Sequence, residues 1–564
     1  MLAACGRPAA PARIAGPDPT VVASNLLRAD YAGSQTCGDC HNEIYAAWQR
    51  SPMRNMTRDA ATAEIRAPFD GATLHVGNDT CTMEMQGVSR YMRVTTAKGT
   101  TRWRVTKVIG GHYREDFVGI EESGIGVERV LPATYVFATK SWRYKGYSVM
   151  VKERPGLSTR AVWANDCIAC HNTLPLATML YDELYGPGLP SYQGKLSDRV
   201  LPQRLAWTTR SRDDAGLARS LAGEIHFLGG DPPANASLRA ALPAAAIASE
   251  QHLDGRHLVE LGVGCEACHN GARAHVAEPV LRPTFAAQSS LLSVTPPKGE
   301  VGTRAQWINH TCAKCHTVLF TRYPWTWEGG ARSKNPGGST TNSGEGRDFQ
   351  LGGCATQMAC TSCHDPHALD APDKLAHLDH VCEGCHANKA TPAHTHHTSV
   401  SCVDCHMPRK NMGLDYGLVR YHRIGSPTDA QRVTGDRPLE CALCHADKSV
   451  EALVSTMETW FHRRYDRAPL RALYGDDLEV NAIRATLVRG KPHEQAVAIA
   501  VLGGTKDRTA LPHLAPQLAH EYPLVRYFAQ RALQTITGDP VALDLGAPAA
   551  ELRVQAQQWL ATQR

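Results

Sequence analysis

The string Cys-x-x-Cys-His occurs eight times in 564 residues. The copies are Cys37/Cys40/His41, Cys167/Cys170/His171, Cys265/Cys268/His269, Cys312/Cys315/His316, Cys360/Cys363/His364, Cys382/Cys385/His386, Cys402/Cys405/His406 and Cys441/Cys444/His445. With 19 cysteines and 26 histidines, chance yields about 0.03 such strings. Two thiols three positions apart reach the two vinyl groups of one porphyrin and become thioethers. The next residue's imidazole then lies under the ring, where it can hold iron as proximal ligand. The spacing predicts eight covalently bound haem c groups. A zinc site would pair Cys-x-x-Cys motifs to close one tetrahedron and does not require histidine after every pair. A thioredoxin-like motif would occur once, beside a βαβ pattern.

A six-coordinate haem iron needs a second axial ligand. Eight of the 26 histidines belong to motifs, leaving 18. The distal candidates are His112, His257, His275, His310, His367, His380, His394, His397 and His422, with Met53 as a thioether alternative. His310 and His380 each stand two residues before a motif, and His367 follows the fifth in Cys-His-Asp-Pro-His. His394, His396 and His397 precede the seventh motif, and His422 follows it.

Three motifs share residues 360–406, about 16 residues for each haem, too few to build a side-chain core around each. The porphyrins must therefore supply much of the interior, in keeping with only 9 phenylalanines. Neighbouring rings are forced close together, an arrangement suited to passing electrons. The mild charge of +5 gives no sign of a nucleic-acid partner. Two propionates on each haem would make the loaded protein acidic despite a sequence pI near 8.3, so the docking faces of redox partners are expected to be basic.

The expected fold is mostly α with little regular structure around a stacked-haem core. A small antiparallel β insert precedes that core and a helical domain follows it. Residues 1–30 read as a lipoprotein-like leader and tether, with Cys5 either a lipid-anchor site, the membrane's only hold on the chain, or an ordinary thiol. Residues 31–69 form the first haem segment and read as helix over 31–60. Residues 70–160 are β-rich, with period-two alternation from Tyr91, Thr101 and Tyr144 and a turn at Gly110-Gly111. The multihaem core spans 161–448, with 329–353 as a Gly/Ser/Asn-rich loop. From 449 to 564, apolar stripes over 496–502, 510–518 and 524–536 predict helices, and the stretch from Pro523 resembles a HEAT repeat. Cys81 and Cys354, outside the motifs, form a disulfide or stay as thiols.

The first haem segment, with Trp48, Ser51 and Met53, resembles multihaem cytochromes of the nitrite reductase and hydroxylamine oxidoreductase lineage. That family commonly carries histidine where Met53 stands. Cys360-Thr-Ser-Cys-His-Asp-Pro-His, and the run from His394 through Cys402-Val-Asp-Cys-His-Met-Pro to His422, are similar to its haem cores. The resemblance implies bis-histidine haems in stacked pairs and maturation outside the cytoplasm. The reading favoured is an electron relay in the periplasm or at the cell surface, linking other cytochromes or a quinol-linked donor to a terminal acceptor, extracellular ones included. The alternative is an oxidoreductase acting on nitrite, hydroxylamine or a sulfur oxyanion at one open-site haem. No residue is singled out as catalytic.

Overall fold

The computed structural model describes residues 20–154, 156–185, 205, 207–297, 302–316, 344–368 and 374–563. The leader with Cys5 and most of the expected 329–353 loop lie outside the described residues. The last part of that loop is not a loop, because Glu345–Leu351 forms a helix.

After two short helices, Ser34–Gly38 and Asn42–Gln49, the chain turns to strand. One antiparallel sheet contains β1 (Thr57–Asp59), β2 (Thr73–Val76), β3 (Asp79–Gln86), β4 (Ser89–Thr96), β5 (Gly99–Gly110), β6 (Arg114–Glu121), β7 (Arg129–Val130), β8 (Ala133–Val136) and β9 (Ser141–Tyr144). Its order is β2-β3-β4-β5-β6-β8-β9, with β1 on β5 and β7 on β6. The ends β2 and β9 approach each other, so the sheet curls almost into a barrel. The β unit thus begins earlier than expected and is larger. Strand structure stops at Tyr144, where Lys145–Tyr147 turns as a 3-10 helix, contrary to the expected strand through 151.

Alternation dictates the register. Met83 pairs with Met92 and Met92 with Trp103, and all three are buried on the inner face. Outside, Arg102 lies 3.7 Å over the Tyr91 ring. Gly110 closes the β5–β6 turn with φ +84, where an added Cβ would meet the Arg114 carbonyl oxygen at 2.8 Å.

Two side-chain cores flank the motif region. One joins the inner face of the sheet to the C-terminal helices Val450–Phe461, Ala482–Arg489, Pro492–Thr505 and Pro523–Thr537. Tyr416 stacks on Tyr527 at 5.4 Å, and the Arg143 guanidinium donates to the Tyr416 hydroxyl at 2.9 Å. The helical region is therefore packed into the β unit rather than set apart. The second core gathers Trp163 and the helices Asp214–Phe227 and Leu238–His252, which give residues 161–260 more regular structure than expected. Between the cores, over 302–410, the buried hydrophobics among the described residues are Ile308, Phe349 and Val403. Those three side chains are little to set against about 1–2 kcal/mol of backbone entropy for each described residue of the stretch.

Candidate haem-binding core

Each motif sits on a tight helical turn. The His41 amide donates to the Cys37 carbonyl at 2.9 Å, His316 to Cys312 at 3.0 Å, His364 to Cys360 at 3.1 Å and His445 to Cys441 at 3.0 Å. One turn brings positions i, i+3 and i+4 to one face, so two sulfurs and an imidazole point the same way. Burial pushes His171 and His269 down to about 4, which keeps both rings neutral, the form that ligates iron. Burial likewise pushes the Cys268 and Cys441 thiols up to about 12.

The motif cysteines differ in how far the polypeptide alone covers them. Cys40, Cys385 and Cys444 are exposed, whereas the other motif cysteines are half-buried. Cys40 departs furthest, because it falls within a run of exposed residues, 39–44, that includes His41. The cause is the short helix Asn42–Gln49, which buries Trp48 alone and turns its first residues outward. The Cys40 amide still donates to the Cys37 carbonyl at 3.3 Å, so the turn that pairs the two sulfurs is kept.

Five motif imidazoles face a second imidazole from elsewhere in the chain. His41 stands against His275 with ring centroids 6.3 Å apart, His269 against His367 at 6.2 Å and His364 against His422 at 6.2 Å. His406 faces His394 at 6.1 Å with planes 5° apart, and His445 faces His397 at 5.9 Å. Metal–imidazole bonds are about 2 Å long, and a ring centre lies a further ~1 Å from its nitrogen, so two rings sharing one iron have centroids about 6 Å apart. The observed gap is too wide for direct stacking and has the width that one intervening iron requires. The residues fit the group that the motifs imply.

The remaining distal candidates are not placed this way. His112 meets Tyr113 edge-on at 4.4 Å, and His310 stacks on Trp207 at 4.0 Å. His257 packs on Phe227, and its Nδ1 accepts from the Asp254 amide at 3.2 Å. His380 is exposed beside Glu383. Met53 is half-buried, its carbonyl accepting from Val263 at 3.0 Å, while His41 faces His275 instead. For His171, His316 and His386, no opposed imidazole is present among the described residues.

Cysteine neighbours link the motifs in an order unlike that of the sequence. Cys37 interacts with Cys265, Cys268 with Cys312 and Cys315, and Cys312 with Cys360. Cys363 then neighbours Cys382, Cys382 neighbours Cys402, and Cys405 neighbours Cys441 and Cys444. Cys315 also meets Cys170, so the second motif branches from the fourth. Cys81 and Cys354 are free thiols: Cys81 is buried in the sheet, and Cys354 lies near Cys385. Among the described residues, no cluster of three or more His, Cys, Asp or Glu is arranged for a single metal ion, as the zinc reading needs.

Sequence reasoning missed the groups that strands and loops deliver. Arg114 and Asp116 from the sheet, and Lys145 from the 3-10 turn after it, come to the vicinity of His171, with Lys145 Nζ 2.6 Å and Arg114 Nε 3.3 Å from the Asp116 carboxylate. Glu345 reaches His316 from across the 317–343 segment. Nothing in spacing could have signalled either contact.

Residues 390–472, which hold the seventh and eighth motifs, match the profile of the family described as cytochrome c552. No curated protein matches the chain. Among solved structures, the outer cell wall cytochrome OcwA matches with 14% identity and a TM-score of 0.38, over 94% of this chain and 100% of that one. A superposition so loose carries no argument. The motifs, the paired imidazoles and the family match together decide the class. The chain is a multihaem c-type cytochrome. In this cytochrome the matched region is where the His394–His406 and His397–His445 pairs lie, so the family match and the ligand-like geometry coincide. No described helix is long and apolar enough to cross a membrane.

Proposed function

We propose that this cytochrome carries eight haem c groups and relays electrons in the cell envelope between a respiratory donor and a terminal acceptor. The observation that carries this reading is the set of five imidazole pairs at 5.9–6.3 Å, each joining a motif histidine to one from another segment. When bound, each haem supplies a one-electron ferric/ferrous couple. The chain's residues do the rest. Sixteen motif cysteines, the exposed Cys40 included, anchor the rings. His41, His171, His269, His316, His364, His386, His406 and His445 are the proximal ligands, with His275, His367, His422, His394 and His397 as distal partners at five sites. At those five sites, two imidazoles would close the iron to exogenous ligands and leave it free only to change oxidation state. The adjacency of motif cysteines orders the sites from the first through the third, fourth, fifth, sixth and seventh to the eighth, with the second as a side branch. The envelope location rests on the maturation that haem c attachment requires outside the cytoplasm. The C-terminal helices are read as a HEAT-like stack that holds the sheet against the core, and Cys5 as a candidate lipid anchor.

A second reading, an oxidoreductase with one open-site haem, is favoured by one place. His171 is half-buried, no described imidazole opposes it, and the Lys145–Asp116–Arg114 cluster beside it carries one positive charge in excess, which would favour an anion. One titration tests both readings. Carbon monoxide and cyanide are added to the reduced holoprotein and the haem spectrum is followed. A relay with every iron six-coordinate shows no change. Stoichiometric carbon monoxide binding at one haem would replace the relay by the enzyme.

A further inference from the structure

The second nitrogen of a ligating imidazole sets how strongly the first donates to iron. In four of the rings proposed as ligands, Nδ1 faces a backbone carbonyl: His275 that of Leu281 at 2.8 Å, His397 that of Thr395 at 2.7 Å, His406 that of Gly425 at 2.9 Å and His422 that of Arg420 at 3.1 Å. His316 differs, because its Nδ1 faces a carboxylate, Glu345 Oε2, at 3.6 Å. His367 also has a carboxylate nearby, Asp365 at 3.3 Å, but that side chain is 63% exposed against 19% for Glu345. Solvent reaches the Asp365 carboxylate more than that of Glu345, although the polypeptide leaves the His316 ring itself 50% exposed.

The backbone holds the carboxylate in place. Glu345 opens the helix Glu345–Leu351, and the Gly346 amide donates to the His316 carbonyl at 2.8 Å, so the bond that seats the motif also seats the charge. His422, across from His364 of the fifth motif, also lies within the field of Glu345. The fourth motif is moreover the branch point, its cysteines meeting those of the second, third and fifth.

We propose that Glu345 is a positioning and tuning residue that holds the iron at His316 at the low-potential end of the set. A fixed negative charge behind the ligand favours the ferric state, which carries one positive charge more than the ferrous. A low-potential centre at the junction makes electrons dwell on the arms instead of at the branch, so the second motif's arm exchanges with the main chain only across a thermodynamic step. The inference rests on the proposed haem ligation at His316.

The test is a spectroelectrochemical redox titration of the full holoprotein, wild type against Glu345→Gln, with Asp365→Asn as the exposed control. Peptide mass spectrometry checks haem attachment at every motif. In the Gln variant, the component at His316 moves upward by about a tenfold change in its ferric:ferrous ratio, 59 mV for one electron, and the component at His364 and His422 moves the same way by less. The low-spin spectrum and haem count stay as they were, and Asp365→Asn moves its component less than twofold. A structural role alone would leave that component in place. If the Gln variant does not load haem, Glu345→Asp, which withdraws the charge by one methylene, shifts the same component the same way by less. Unmoved components in a fully loaded variant overturn the inference, as does a uniform drift of all of them. A wild-type motif-four peptide without haem would instead overturn the ligation on which it rests.

Discussion

Glu266 lies inside the third motif, in Cys265-Glu-Ala-Cys-His, and is 1% exposed. Its carboxylate accepts from the Ala32 amide at 2.9 Å, the Gly33 amide at 2.7 Å and the Ala272 amide at 2.8 Å. Ala32 and Gly33 immediately precede the helix Ser34–Gly38 that carries Cys37, so this one side chain clamps the first motif to the third. Glu266→Ala removes the acceptor and strands three donors. Each charge-assisted bond is worth about 1.5–3 kcal/mol, and water entering the gap restores part of the loss. The net cost is then about 3–5 kcal/mol, the range for removing one member of a buried charged set. At about 1.4 kcal/mol per decade, local opening of 31–41 away from 265–272 becomes at least ~100-fold more frequent. Hydrogen-exchange mass spectrometry of the holoprotein reads that opening in peptides covering Ala32, Gly33 and Ala272. Glu266→Gln keeps one acceptor oxygen and falls between. Haem attachment stays complete in both, because it needs only the local turn. Exchange in the Ala variant within twofold of wild type would refute the clamp.

Two further outcomes are expected. His394→Ala leaves the iron at His406 with a single imidazole, giving one high-spin component and one equivalent of carbon monoxide binding, whereas His112→Ala changes neither; identical spectra for the two variants would remove the pairing argument. His493 is fully buried beneath the C-terminal helices, and burial pushes its pKa down to about 3. Its folded pKa lies below the ordinary 6.5, so its contribution is intact above pH 6.5 and is lost as pH falls toward 3. At pH 5 that loss is about 2 kcal/mol. His493→Asn should flatten exchange across 492–505 between pH 7 and 5, and a variant as acid-sensitive as wild type would contradict the assignment.

What the sequence made legible were features carried by local spacing. The motifs are strictly local, so all eight could be read directly. His275, His367, His394, His397 and His422 were within reach because each lies within about 20 residues of some motif, yet their partners were not, since His275 faces the first motif rather than the third that it follows. His310 and His380 have the same local credentials and are turned elsewhere by Trp207 and Glu383. Period-two alternation gave the strands around Tyr91 and Thr101. It failed at Tyr144, where Lys145–Tyr147 bends so that Tyr147 packs edge-on against Tyr144 at 5.0 Å, a tertiary demand that alternation does not encode. The fusion of sheet and C-terminal helices into one core was invisible for the same reason: Tyr416 and Tyr527 are about 110 residues apart and meet only in the fold.

The pairings also explain how so little apolar packing can hold residues 302–410. On the proposed ligation each iron ties two remote points of the chain, His41 to His275 across about 230 residues and His269 to His367 across about 100. The two loops overlap by only six residues, His269 to His275, so each closure removes entropy from a largely separate stretch of chain. A cross-link of this kind restricts the unfolded chain more than the folded one, as a disulfide does, and its effect grows with the loop it closes. On the proposed ligation, connectivity adds to the burial of Ile308, Phe349 and Val403 among the described residues of that region.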